Sequence, residues 1–264
     1  MNYQDRRRKK KKKLNPQLPT SSKKKKTQLN QTSSSAPLLL PHLTVRDVSA
    51  LDWRALAAAG FRAAVFDKDN TLTAPYSLEL TPEATAALAD AAKAFSRNGS
   101  SNMNSKSKLA LLSNSAGLKQ YDPEGHEADA LEAALGIAVI RHSTKKPSGD
   151  AAAIVAHFSS SSSSSGPASD SQISSSEIVM VGDRYLTDVA FGNRLGMLTV
   201  RVDPVEKSGK GEPRAVRASR AVEEALVRRR ERKGMRAPEQ ELVERKRKGS
   251  SSSTQEVLEG FVRR

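Results

Sequence analysis

The 264-residue chain contains no cysteine. Disulfide bonds, thiolate nucleophiles and cysteine-based zinc sites are therefore excluded at once. Histidine is scarce too, and His42, His126, His142 and His157 are scattered without metal-ligand spacing. His142 alone stands near a motif described below, where it is either a substrate contact or a packed loop histidine. Neither a secretory signal nor a membrane span is expected, because the apolar stretch before residue 67 is interrupted by Arg54 and Arg62. Membrane contact, if made, is expected to be peripheral.

What the chain has in excess is positive charge, unevenly placed. Of a formal net charge of +15, residues 1–30 hold 12 basic and 1 acidic side chains, residues 206–264 hold 17 and 10, and the remainder 15 and 18. The basicity thus belongs to the ends and says nothing about the middle of the chain. Charge and composition together suggest a disordered basic arm over 1–36, a folded middle domain over 37–205 with a Ser-rich loop at 159–176, and a basic, partly helical extension over 206–264. Each lysine or arginine held near an anionic lipid surface contributes about 1 kcal/mol, so such ends suit an anionic membrane. The runs Arg6–Arg8, Lys9–Lys13 and Lys23–Lys26 equally read as a nucleic-acid or nuclear address, although nucleic acid is the less favoured partner. A mitochondrial presequence is amphipathic and arginine-rich, whereas this start is dominated by lysine.

The chemistry-bearing residues lie in the nearly neutral middle. Ala63-Ala64-Val65-Phe66 reads as a short strand running into Asp67-Lys68-Asp69-Asn70-Thr71. Side chains alternate along a strand, so Asp67 and Asp69 face one spot if strand geometry persists through the pair. Two carboxylates so close repel unless a cation or fixed lysine offsets them. With Mg²⁺ bound, one can attack phosphorus while the other moves protons. Three further strand-like runs end in matching parts. Leu109–Leu112 leads to Ser113 and Asn114, the candidates for holding phosphoryl oxygens through a hydroxyl and backbone N–H groups. Ile137–Ile140 leads to Lys145-Lys146-Pro147, and Ile178–Val181 leads to Gly182-Asp183, with Asp188 five residues further on. A fixed ammonium suits a pocket that holds phosphate and carboxylates together, and Asp183 is placed to join a Mg²⁺ shell.

In this order the four segments resemble the haloacid dehalogenase superfamily, whose motifs are an Asp-x-Asp-x-Thr loop, a Ser or Thr, a Lys, and a Gly-Asp followed by a second acid. The resemblance implies that Asp67 is the nucleophile that forms an aspartyl-phosphate. It makes Asp69 the acid/base, also giving its backbone carbonyl to Mg²⁺, and Ser113 the phosphoryl-binding hydroxyl. Lys146, chosen over Lys145 because it precedes Pro147, neutralises charge; Asp183 ligates Mg²⁺, and Asp188 orients water or Lys146. The strings AVFDKDNTLT, LLSNSAG, RHSTKKP and VGDRYLTDV resemble more closely the phosphatidylglycerophosphatase branch known from fungal mitochondria. Pro41-His42-Leu43 and Val45 are similar to that branch's lead-in. The implied function is removal of the terminal phosphate of phosphatidylglycerophosphate in cardiolipin synthesis, in the mitochondrion at the matrix face of the inner membrane.

Strands alternate with helical stretches, which predicts an α/β Rossmann-like parallel sheet with the reacting groups at carboxyl ends of strands. The fifth strand is Leu198–Val202, and helices are expected over 82–95, 127–135, 150–158, 188–195, 217–233, 238–248 and from Thr254. Only 43 residues separate Asp69 from Ser113, filled by one helix and a polar loop. That leaves no room for a cap domain, and an uncapped site suits a phosphate carried on something large, such as a lipid. The same chemistry on another phosphate monoester (a nucleic-acid end, a phosphoprotein or a sugar phosphate) and a non-enzymatic basic scaffold remain as alternatives.

Overall fold

A computed structural model describes residues 38–96, 108–149, 151–159, 173–208 and 213–263. The basic arm expected over 1–36 and most of the Ser-rich loop lie outside the described residues. The strands are β1 (Leu43–Val45), β2 (Ala63–Phe66), β3 (Leu109–Leu111), β4 (Ala138–Val139), β5 (Ile178–Gly182) and β6 (Leu198–Val202). They form one all-parallel sheet in the order β1-β6-β5-β2-β3-β4, so the α/β parallel sheet expected from the sequence is borne out. Every residue of β2 and β5 is buried, as continuous apolar runs covered on both faces require.

The helices are α1 (Trp53–Ala58), α2 (Pro82–Phe95), α3 (His126–Leu135), α4 (Ala152–Ser159), α5 (Ala190–Arg194), α6 (Arg214–Arg232), α7 (Glu241–Lys248) and α8 (Thr254–Glu259). Local chemistry explains several starts. Thr81 accepts the Ala84 N–H and Pro82 opens α2, a favoured N-terminal pairing. Asp52 caps α1 in the same way. Where the sequence predicts one helix over 188–195, a π-helical turn Tyr185–Val189 precedes a short α5. No helix among the described residues is long and apolar enough to cross a membrane.

The main core joins one sheet face to α1, α2 and α3, with Trp53 packed against Phe66 and Phe95 at ring-centroid distances of 5.8 and 6.0 Å. The segment beyond residue 205 corrects an expectation. Leu242, Val243, Val257, Leu258 and Phe261 lie in this same core, and the compact unit runs from Ala36 to Arg264. The charge-based boundary at 205 is thus no break in packing: most of the basic residues face outward while a thin apolar stripe is buried inward.

Candidate active site

In the strand order, β2 is followed on one side by β3 and β4 and on the other by β5 and β6, so the direction of winding reverses between β2 and β5. Open α/β sheets bind ligands in the crevice at such a reversal, outside the carboxyl ends of the strands. Asp67 directly follows β2, and its N–H donates to Val181 O at 2.9 Å. Asp183 directly follows β5. Asp67, Asp69, Ser113, Asn114, Lys146 and Asp183 all line one cleft of about 260 Å³ at this place.

Lys146 is only 5% exposed. Its Nζ lies 2.6 Å from Asp67 Oδ1 and 2.6 Å from Asp188 Oδ1. Burial alone would drive the proton off this amine, but Asp188 and Asp67 outweigh it and hold the pKa above the usual lysine range. Lys145 instead points outward, donating to the Tyr121 hydroxyl at 2.7 Å. The lysine loop is fixed by Asn114, whose Oδ1 accepts the Lys146 N–H at 2.8 Å, so this expected substrate-binding residue also positions the lysine. The Ser113 hydroxyl is buried beside Ser115 Oγ at 3.1 Å.

The strand argument for Asp69 needs correction. Strand geometry ends at Phe66, and Asp69 sits in a tight loop where Asn70 adopts φ 63° and its N–H bonds Thr73 O at 2.8 Å. Asn tolerates this left-handed conformation better than most residues. The Asp69 carboxylate reaches the cleft but is held by Lys68 Nζ at 2.5 Å and the Tyr76 N–H at 2.8 Å. Lys68, a spacer in the sequence motif, is itself buried.

Asp67, Asp183 and Asp188 each offer a carboxylate oxygen within 4.8 Å of the others. Burial pushes the Asp67 carboxyl up to about 6 against the pull of Lys146, with Asp188 adding to the rise. Burial, Asp188 and Asp67 push Asp183 up to about 7 against the pull of Arg220. Crowded carboxylates of this kind are what a hard divalent cation relieves, so the donor set fits one. Asp188 is already committed, with Oδ1 on Lys146 and Oδ2 accepting the Arg184 N–H at 3.2 Å. That leaves Asp67 and Asp183 as the better donors.

Two further side chains need placing. His142 turns its Nδ1 to Ile140 O at 3.1 Å and lines a separate small cavity with Phe191 and Ile154, which is the packed-loop reading. Arg220 was not a sequence candidate, because nothing distinguishes it among the arginines around it. Yet it lines the cleft and places Nη2 2.5 Å from Asp183 Oδ2.

A family model described as Mitochondrial PGP phosphatase matches residues 24–206. The chain is 50% identical over 190 residues to Phosphatidylglycerophosphate phosphatase 1, chloroplastic, of Chlamydomonas reinhardtii, covering 72% of this chain and 61% of that protein. It is 41% identical over 205 residues to Phosphatidylglycerophosphate phosphatase 1, chloroplastic/mitochondrial, of Arabidopsis thaliana, covering 78% and 52%. With the Probable phosphatidylglycerophosphatase, mitochondrial, of Schizosaccharomyces pombe it shares 30% identity over 175 residues, 63% of this chain and 75% of that one. The chain therefore spans less than two thirds of the length of the algal and plant relatives. No solved structure matches. With the family match covering more than half of its length, this chain belongs to the mitochondrial PGP phosphatase family.

Proposed function

We propose that this chain is a divalent-cation-dependent phosphomonoesterase that removes the terminal phosphate of phosphatidylglycerophosphate, yielding phosphatidylglycerol for cardiolipin synthesis. The observation that carries this reading is the buried Lys146 ammonium 2.6 Å from the Asp67 carboxylate at the reversal of the sheet. Family membership and the names of the relatives supply the substrate.

In the proposed reaction an Asp67 carboxylate oxygen attacks phosphorus and the bond to the lipid oxygen breaks. Asp69 delivers a proton to that leaving oxygen. The aspartyl-phosphate is then hydrolysed by a water whose proton returns to Asp69, closing the cycle. Lys146 holds Asp67 in its ionised, attacking form and offsets the negative charge gathering on phosphate, and the Ser113 hydroxyl orients a phosphoryl oxygen. Asp67 and Asp183 would hold the cation, Mg²⁺ by preference for carboxylate oxygens, and it would supply charge neutralisation to the phosphoryl group. Phosphate monoesters are among the slowest bonds to break unaided, so all of these groups are needed.

The setting proposed is peripheral association with an anionic organellar membrane. The relatives' names divide between mitochondrion and chloroplast, and the matrix face of the mitochondrial inner membrane is our placement. The test is phosphate release from phosphatidylglycerophosphate in mixed micelles, with and without Mg²⁺, beside soluble esters and a 3′-phosphorylated oligonucleotide. Mg²⁺-dependent preference for the lipid, abolished in Asp67→Asn with the fold retained, is expected. Near-normal turnover by Asp67→Asn would refute the mechanism, and equal weak activity on every ester would refute the lipid assignment. Deleting residues 1–30 should weaken binding to anionic vesicles while sparing hydrolysis of soluble esters; unchanged vesicle binding would refute the membrane role of that arm.

A further inference from the structure

The family match ends at residue 206, yet α6, which begins at Arg214, forms a wall of the cleft. Pro213, Val216 and Arg220 all line it, with residues 216 and 220 one helical turn apart on a single face. The register of this helix is set by a buried acid. Glu223 is 1% exposed, and its Oε2 accepts the N–H groups of Tyr185 and Leu186 at 3.0 and 3.3 Å. Its Oε1 takes the Ser219 hydroxyl at 3.0 Å and the Arg184 guanidinium. Four residues on, Val227 is buried against Leu39, Leu40 and Ala190. These contacts clamp α6 to the turn that follows Asp183, and Arg220, one turn before Glu223, is thereby aimed into the cleft.

Lys146, Ser113 and the acids already account for one phosphoryl group, so the guanidinium is a further fixed cation in the same cleft. The substrate class proposed above carries two phosphates, the monoester to be removed and a diester that links its glycerols. We propose that Arg220 is a specificity-determining residue that binds this phosphodiester, an inference that rests on the phosphatidylglycerophosphate reading. Arginine presents a planar fork of donors matched to phosphate and stays charged at every physiological pH, as the diester does. The position agrees: Nη2 is 2.5 Å from Asp183 Oδ2, and Asp183 and Asp67 line the same cleft and offer carboxylate oxygens within 4.8 Å of each other. The guanidinium and the nucleophile therefore line one cleft. The sheet ends would then read the phosphate that leaves and α6 the phosphate that stays.

The experiment compares wild type, Arg220→Lys and Arg220→Ala at saturating Mg²⁺. The two substrates are phosphatidylglycerophosphate and phosphatidic acid, a lipid monoester without a diester, in the same micelles. The ratio of the two kcat/KM values should fall about tenfold or more in Arg220→Ala, the effect of losing a charge-assisted hydrogen bond, carried mainly by KM for the diester-bearing lipid, with Arg220→Lys between. An unchanged ratio, with both substrates impaired alike, would mean that Arg220 only props Asp183 and would overturn the proposal. A readout free of turnover separates this from failure of the underlying reading. Glycerophosphoglycerol, which has the diester and no monoester, is titrated into the Asp67→Asn protein with and without Arg220→Ala. Saturable binding that requires Arg220 supports the proposal even if no lipid is hydrolysed, in which case the phosphatase reading fails instead. Binding unaffected by Arg220→Ala, or no binding, overturns it.

Discussion

Asp188 is a buried carboxylate committed to positioning. One oxygen takes the Lys146 ammonium and the other the Arg184 N–H, so the residue holds the lysine rather than the substrate. This requires Asp188 to lie directly against the end of β5, where a Cβ on residue 182 would overlap its carboxyl group. Glycine at 182 is thus needed for close approach; its φ is not in the left-handed range, so the turn itself does not demand it. Gly182→Ala is expected to cost about 1–3 kcal/mol by overpacking and to lower kcat by displacing Asp188 from Lys146. Urea unfolding and phosphate release check this, and a variant with wild-type stability and turnover would contradict it. The motif residues were legible because each follows its own apolar run. Lys68, Arg220 and the reason for Gly182 were not, because each owes its place to a neighbour distant in the chain or to a loop that only folding closes.

Elements were legible where an apolar run or an alanine-rich stretch sits between polar borders. β2, α2 and β6 occupy the residues expected of them. β1 has three residues and becomes a strand by pairing with β6 at the sheet edge, a partner that its own sequence does not reveal. α6 read as a peripheral basic helix because its apolar stripe is thin; what docks it is the Glu223 carboxylate, and an acid among arginines looks solvated. Glu223→Ala would leave the Tyr185 and Leu186 N–H groups and the Arg184 guanidinium without their shared acceptor. Removing one member of so buried a polar cluster costs about 3 kcal/mol. The variant should lose that much in urea unfolding, and α6 should become cleavable by protease in an otherwise folded protein. A loss below about 0.5 kcal/mol, typical of surface substitutions, would show that apolar packing alone docks the helix.

At the scale of the molecule, the lead-in before β1 and the segment after α6 close over the sheet together. Asn193 Nδ2 donates to Leu38 O and Leu40 O at 2.7 and 2.8 Å, Arg263 N–H reaches Ala50 O at 2.8 Å, and His42 bridges the two. Its Nδ1 accepts the Thr199 N–H at 3.1 Å, and its Nε2 donates to Pro238 O at 2.9 Å. This closure escaped a reading based on charge, since net charge reports the solvent face and not the buried one. The His42 contacts require the neutral ring, and burial lowers its pKa to about 4, against which the Pro238 bond acts only partly. The unfolded chain, with an ordinary value of about 6.5, then binds more protons than the native state as pH falls from about 6.5 towards 4. The contribution of His42 to stability is complete above that window and is lost within it, up to roughly 3 kcal/mol. Asp67 and Asp183, with raised values, act in the opposite direction, so wild type must be compared with His42→Gln, which titrates identically elsewhere and retains an amide N–H for Pro238 O. Between pH 7 and 4 the unfolding free energy of wild type should fall by roughly 3 kcal/mol more than that of His42→Gln; parallel pH profiles would show that the two ends of the domain are not held by a neutral histidine.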